Sequence, residues 1–301
     1  MDGMSAPPDI LCIGSVLWDI IGRSAIVMRQ GSDVPGRITR LPGGVAMNIA
    51  MTLARLGLRP AVLTSIGRDA AGDELVAACD RLGVETRFAY RSEDLPTDQY
   101  MAVEGANGLI AAIADAHSLE AAGEKILRPL ADGTLGAADA PWRGLIALDG
   151  NLTVQLLADI AVSPLFAGAD LRVAPASPGK AERLVPLMGH AGATLYVNLE
   201  EAGLIAREGF TDAGAAAEGL LARGAARVLV TDGGRACAEG TQGLGVIVDS
   251  PPKVMVTRVT GAGDTFMAAH VVAERRGADR RAALAAAIRA AATYVSGEMP
   301  S

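Results

Sequence analysis

Two hydrophobic rhythms run through this chain. Short unbroken apolar runs, such as Ile10-Leu11-Cys12-Ile13 closing on Gly14, predict buried strands. Longer stretches with apolar residues three and four apart predict helices, the clearest being VAMNIAMTLAR over 45–55, stopped by Gly57. On this basis strands are expected at 10–14, 61–66, 145–148, 171–174, 194–198 and 227–231, with further strand-like runs near 235–240 and 244–249. Helices are expected at 45–57, 73–82, 152–161, 212–223, 263–276 and 279–296. Such alternation argues for an α/β fold with a doubly wound, mainly parallel sheet flanked by helices. Two regions break it. Residues 16–27 read as β around Asp19, with a loop at 31–36, and 84–90 and 100–114 read as strands separated by polar turns. These pieces, about 15–40 and 85–115, are expected to form a small β-sheet lid over one end of a single domain spanning 1–301.

Composition narrows the function classes. The 301 residues carry a net charge of -7, which disfavours a nucleic-acid binder held by Lys and Arg. Aromatic residues make up 3%, too few for a base-stacking platform. No apolar run reaches the roughly 18 residues of a membrane span, and Met1–Pro8 does not read as a signal peptide, so a cytoplasmic, soluble protein is expected. Cys12, Cys79 and Cys237 are far apart and read as buried thiols rather than as a disulfide framework or a metal site.

Two glycine-rich turns carry candidate chemistry. In Val259-Thr260-Gly261-Ala262-Gly263-Asp264 a small-residue turn opens into a helix with Asp264 in its first turn. Free amides at a helix start attract anions such as phosphate, and an adjacent carboxylate can take a proton from a hydroxyl. The same pattern also suits an ordinary turn with an acidic helix cap. In Gly43-Gly44-Val45-Ala46-Met47-Asn48 a glycine pair precedes a helix bearing Asn48, which can bond sugar hydroxyls or simply face solvent. Asp19 interrupts an apolar strand and needs a partner, either a diol or a strand-end salt bridge.

The order of Asp19, GGVAMN, Asn198-Leu199-Glu200-Glu201, Thr231-Asp232-Gly233-Gly234 and TGAGD resembles the ribokinase-like (PfkB-type) sugar and nucleoside kinases over nearly the whole chain. The resemblance implies ATP and Mg²⁺ as cofactors. It makes Asp264 the catalytic base and Gly261, Ala262 and Gly263 an anion hole. Asp19, Gly43, Gly44 and Asn48 become sugar-binding positions, Asn198 and Glu201 an element near phosphate and magnesium, and Thr231 and Gly233 the nucleotide-side turn. It also implies a homodimer paired through the lids. Two positions depart from the family pattern. Arg258 stands where many members carry an Asp near a monovalent cation, which puts a potassium requirement in doubt, and Ala236 replaces a usual Gly. The segments TDQYMAV (97–103), AIAD (112–115), LDGNL (148–152) and KAERL (180–184) are similar to the pseudouridine kinase branch. That likeness makes Thr97 and Asp115 candidate readers of the base. The expected reaction is phosphorylation of the pseudouridine 5′-hydroxyl. The alternatives are a kinase for ribose, adenosine or a keto-sugar acid, or a non-catalytic sugar- or nucleoside-binding regulator.

Overall fold

In the computed structural model, which describes residues 7–31 and 33–297, strands β1 (Ile10–Ile13), β4 (Pro60–Leu63), β9 (Leu145–Asp149), β10 (Asp170–Ala174), β11 (Ala193–Asn198) and β12 (Arg227–Thr231) lie parallel. Two antiparallel strands, β13 (Cys237–Thr241) and β14 (Gly245–Asp249), extend one edge, giving the order β14-β13-β12-β11-β10-β9-β1-β4. Met1–Ala6 and Ser32, which bear on the reading of the N-terminus and of the 31–36 loop, lie outside the described residues.

Both faces of this sheet are apolar because both are covered. Along β1, Ile10 and Cys12 face one core while Leu11 and Ile13 face the other. The first core is closed by α1 (Val45–Arg55), α2 (Ala70–Arg81), α7 (Ala262–Arg275) and α8 (Arg280–Val295). The second is closed by α3 (His117–Ala122), α4 (Val154–Val162), α5 (Leu199–Ala206), α6 (Ala213–Ala222) and two 3₁₀ segments, 123–130 and 178–187. Cys12, Cys79 and Cys237 are buried free thiols, as composition suggests.

The lid is a four-stranded sheet in the order β3-β2-β7-β8, built from β2 (Leu17–Arg23), β3 (Arg37–Gly43), β7 (Gln99–Gly105) and β8 (Gly108–Asp115). Residues 84–90 differ from expectation. Only a short strand, β6 (Tyr90–Ser92), forms there, and it pairs with β5 (Ser65–Gly67) outside the lid. The buried Val84 and Phe88 mimic strand alternation, but a turn closed by Ala89 N–H to Thr86 O breaks the ladder. The strand read as running to Val27 stops at Arg23, leaving Ile26 and Val27 exposed. Helix α2 starts three residues before the expected position, because Asp69 caps it by accepting from Gly72 N–H at 2.7 Å.

Toward the N-terminal ends of the parallel strands, the last turns of α7 sit on a buried charge network. Arg172 bonds Glu274 (2.5 Å) and the Tyr196 hydroxyl (3.0 Å), and Tyr196 meets His270 Nδ1 at 2.8 Å. Arg227 bridges Glu274 and Glu239, and Arg280 from α8 also reaches Glu239. His270 and Glu239 are fully buried. Although burial opposes its charge, the contacts with His270, Arg227 and Arg280 hold the Glu239 carboxyl down at about 2.

Candidate active site

In the strand order β10-β9-β1-β4, the chain leaves β1 for β4 on one side and later returns to β9 on the other. The C-terminal ends of β1 and β9 therefore border the crevice where open α/β sheets bind ligands. Asp149, the last residue of β9, fills this position and is fully buried. One oxygen accepts from Ser15 N–H (2.7 Å), Ser15 Oγ–H (2.9 Å) and Ala46 N–H (3.1 Å), and the other from Asn151 N–H (2.6 Å). A side chain on Gly14 would place its Cβ 2.4 Å from the Asp149 carboxyl, so glycine is required there. Burial pushes the Asp149 carboxyl up, and its four donors oppose that. Asp149 thus ties the end of β1 to the start of α1.

The two glycine turns meet above it. Gly261 is left-handed (φ 86°) and opens α7, with Asp264 in the first turn. Ala262 N–H is used by Val259 O and Thr265 N–H by Gly261 O, so the Gly263 and Asp264 amides are the donors left at the helix start. Asn48 of α1 donates its Nδ2–H to Asp264 Oδ2 at 3.0 Å across 216 residues of sequence. Burial raises the Asp264 carboxyl to about 7; the Asn48 bond works against the rise, and the charges of Asp149 and Glu201 add to it. Asp264 is therefore more than a helix cap: its carboxyl, raised toward neutrality, lies in the first turn of α7 beside amides left without a backbone partner.

Asp19 lies on the lid strand β2 with its carboxylate against Gly43, where a Cβ would come within 2.0 Å of Oδ2. Among the described residues no cation pairs with Asp19, so the salt-bridge alternative is not realised, and burial pushes its carboxyl up to about 6. Gly44 (φ 93°) packs on the Ser15 carbonyl. Asp19, Gly43, Gly44, Asn48, Gly261, Ala262, Gly263 and Asp264 are thus gathered into one region.

Asn198 and Glu201 form a capping box at the start of α5, each side chain accepting from the other's backbone N–H at 2.8 Å. Glu201 is nonetheless near enough to raise Asp264, and its own carboxyl is pushed up by burial. Thr231 pairs with Asn198 at the strand ends, and Gly233 (φ 57°) shapes the turn that follows. Beside the α7 start, a cleft of about 520 Å³ is lined by Pro252, Val254, Met255, Arg289, Ala292, Thr293 and Ser296. Tyr294 links that wall to the Gly261–Gly263 turn by donating its hydroxyl to Thr260 O at 2.8 Å. Arg258 donates Nε–H to Tyr294 O at 2.7 Å and stacks 3.8 Å from its ring.

Two sequence-derived candidates are placed elsewhere. Thr97 is buried, with its N–H and hydroxyl both given to Asp69, so it anchors the α2 cap instead of facing a ligand. Asp115 pairs with Gln99 and so, through Trp18, belongs to the lid face opposite Asp19, which pairs with Tyr100. Within one protomer it does not look into the same space. Sequence reasoning missed Ser15 and Tyr294 and met Asn151 only within the similar LDGNL segment. It treated Asp149 only as part of a similar segment, although an acid closing an apolar strand before Gly is the available signal.

Among the described residues no group of three His, Cys, Asp or Glu side chains could hold a metal ion. The residues fit Mg²⁺ only as Mg²⁺ commonly binds, shared with substrate phosphates and water, with Glu201 the acidic side chain on hand. No helix among the described residues is long and apolar enough to cross a membrane.

The chain is 32% identical over 146 residues to an uncharacterized sugar kinase of Escherichia coli, a match spanning 48% of this chain and 39% of that protein. It is 27% identical to the E. coli pseudouridine kinase over 86% of this chain and 81% of that one. Its fold matches an Arabidopsis thaliana ribokinase solved with ribose and ATP (TM-score 0.75, 21% identity, covering 96% and 93% of the two chains). Residues 7–299 match the model of the pfkB family of carbohydrate kinases, and the chain belongs to that family.

Proposed function

We propose that the protein transfers the γ-phosphoryl group of ATP to the 5′-hydroxyl of pseudouridine. The observation that carries the phosphotransfer reading is Asp264, a carboxyl raised to about 7 at the start of α7, next to unpaired amides. In this reading Asp264 accepts the hydroxyl proton as the oxygen attacks phosphorus. The new O–P bond forms while the bond to the ADP oxygen breaks, and the Gly263 and Asp264 amides hold the charge on the phosphoryl oxygens. Asn48 keeps the carboxylate aimed. Asp19, without a protein cation, holds ribose hydroxyls against Gly43 and Gly44. The 520 Å³ cleft receives the adenine base, with Thr231 and Gly233 bordering the phosphates. When bound, Mg²⁺ would supply charge neutralisation on the phosphates, and Glu201, positioned by Asn198, would help to hold it.

Pseudouridine as acceptor is supported by the E. coli pseudouridine kinase match and by the similar segments, among which LDGNL and KAERL border the site. A reaction consuming ATP and a nucleoside belongs in the cytoplasm. Pairing of two copies through the lids is part of the same reading, since Ile38, Met101 and Ile113 share one lid face and are 76%, 45% and 62% exposed. Sedimentation analysis checks the pairing; a monomer at micromolar concentration removes it.

The test of the reaction is an ADP-release assay over pseudouridine, uridine, adenosine, ribose and a keto-sugar acid, with Asp264→Asn as control. The expected result is the highest kcat/KM for pseudouridine and a loss of orders of magnitude in the variant. A preference for ribose or adenosine overturns the acceptor and leaves the phosphotransfer. Near-normal turnover by Asp264→Asn overturns the role of Asp264.

A further inference from the structure

Lys180, in the 178–187 segment, is a half-buried cation with an unusual partner. Its Nζ donates to the neutral Asn151 Oδ1 at 2.6 Å, and no carboxylate lies within ion-pair distance among the described residues. Arg183, one turn on, shows the ordinary arrangement: it bonds Glu120 and the carbonyls of Asn151 and Leu152. A partly desolvated ammonium that has three N–H donors and uses one on an amide is electrostatically incomplete.

Its position is fixed by a relay of hydrogen bonds. Asn151 gives its backbone N–H to Asp149 and its Nδ2–H to Ser15 Oγ (2.9 Å), so its carbonyl oxygen has to face Lys180. Ser15 Oγ also receives Val45 N–H (2.9 Å), the first amide of α1 after Gly43-Gly44. Asp19 lies on Gly43, the adjoining Gly44 packs on the Ser15 carbonyl, and Ser15 Oγ leads through Asn151 to Lys180. Asp19 stands at one end and a cation with spare donors at the other.

We infer that Lys180 is a specificity-determining residue, donating a hydrogen bond to an oxygen that the phosphoryl acceptor carries outside its sugar hydroxyls. A ring carbonyl of a pyrimidine base supplies such an oxygen, as does a carboxylate on a sugar acid, whereas free ribose supplies none. This deepens the pseudouridine reading and rests on the kinase assignment. It also gives base recognition to the floor of the site, in place of Thr97 and Asp115.

The experiment compares wild type, Lys180→Met and Lys180→Arg, steady-state kinetics being measured on pseudouridine, uridine, ribose and a keto-sugar acid. Calorimetric binding of pseudouridine and thermal melting accompany them. A lost hydrogen bond from a charged donor predicts a fall in kcat/KM of about 10–100-fold for pseudouridine and uridine in Lys180→Met, carried by KM. Ribose turnover should change by less than about twofold, since it makes no such bond. Lys180→Arg should recover part of the loss. If pseudouridine and ribose fall together, or neither falls, Lys180 is not a specificity residue. If wild type prefers the sugar acid and Lys180→Met lowers that activity alone, the pseudouridine reading fails and the Lys180 assignment stands with a carboxylate as partner. If ribose is the best acceptor and is indifferent to Lys180→Met, both fail.

Discussion

Removing the Asn48 side chain should change the pH at which the enzyme works more than it changes the plateau of its rate. Asn48 Nδ2 donates to Asp264 Oδ2 at 3.0 Å and is the bond that opposes the rise of this carboxyl to about 7. A hydrogen bond to a charged group is worth about 1.5–3 kcal/mol, and each pH unit of displacement corresponds to about 1.4 kcal/mol. Asn48→Ala should therefore move the Asp264 titration upward by about one to two pH units. A general base works only when ionised, so activity is lost as pH falls through that value. At pH 7 the ionised fraction would drop from about one half to between about 1% and 10%, a loss of about 5–50-fold. Raising the pH to 9 should restore most of it. The assay is kcat/KM for the acceptor from pH 5.5 to 9.5 at constant ionic strength, paired with the wild-type profile. A variant profile that is lower everywhere by one constant factor, with its acidic limb unmoved, refutes the claim that Asn48 acts by holding Asp264 ionised.

Three further outcomes follow from the same geometry. Because the folded-state value of Asp264, about 7, lies above its ordinary 3.8, its ionisation weakens the fold progressively as pH rises from about 4 and fully above 7. Asp264→Asn should thus raise Tm by several degrees at pH 8 and not at pH 4, read by calorimetry; an unchanged Tm at pH 8 counts against it. Gly43→Ala places a methyl group on the Asp19 carboxylate and should raise the acceptor KM by about tenfold with kcat within about twofold, measured by initial rates. With the Arg258 guanidinium already fixed on Tyr294, exchanging K⁺ for tetramethylammonium should alter kcat by less than about twofold; a tenfold stimulation by K⁺ would refute it.

The sheet and its main helices were legible because their apolar periodicities differ and several ends carry glycine, as at Gly57 and Gly83. Asp264 was legible for a similar reason: only a turn of small residues opening directly into a helix puts a carboxylate beside unpaired amides. What escaped depends on distance in sequence. Nothing near Asp149 announces that three of its four donors come from Ser15 and Ala46, and nothing near Lys180 announces Asn151, 29 residues away. Asn198 and Glu201 show a different limit. Their spacing of three is both that of the family element and that of a capping box, so the pattern alone cannot separate a phosphate site from a helix start. Asp115 was placed by likeness of a strand segment, but which face it joins is set by pairing with Gln99, a register that segment likeness does not contain.

The charge network under the last turns of α7 has a consequence for how this sequence can drift or be redesigned. Arg172, Arg227 and Arg280 are balanced by Asp170, Glu239 and Glu274 around the buried His270, so exchanging the buried Arg172 or Glu239 alone strands a partner's charge away from water. Effects of substitution here should be strongly non-additive: single changes harm, while a concerted apolar replacement of the group can be tolerated. The positions are joined across three strands and two helices, so in related sequences they should change as a block. Libraries that randomise one position at a time would score each as essential and miss the allowed alternatives.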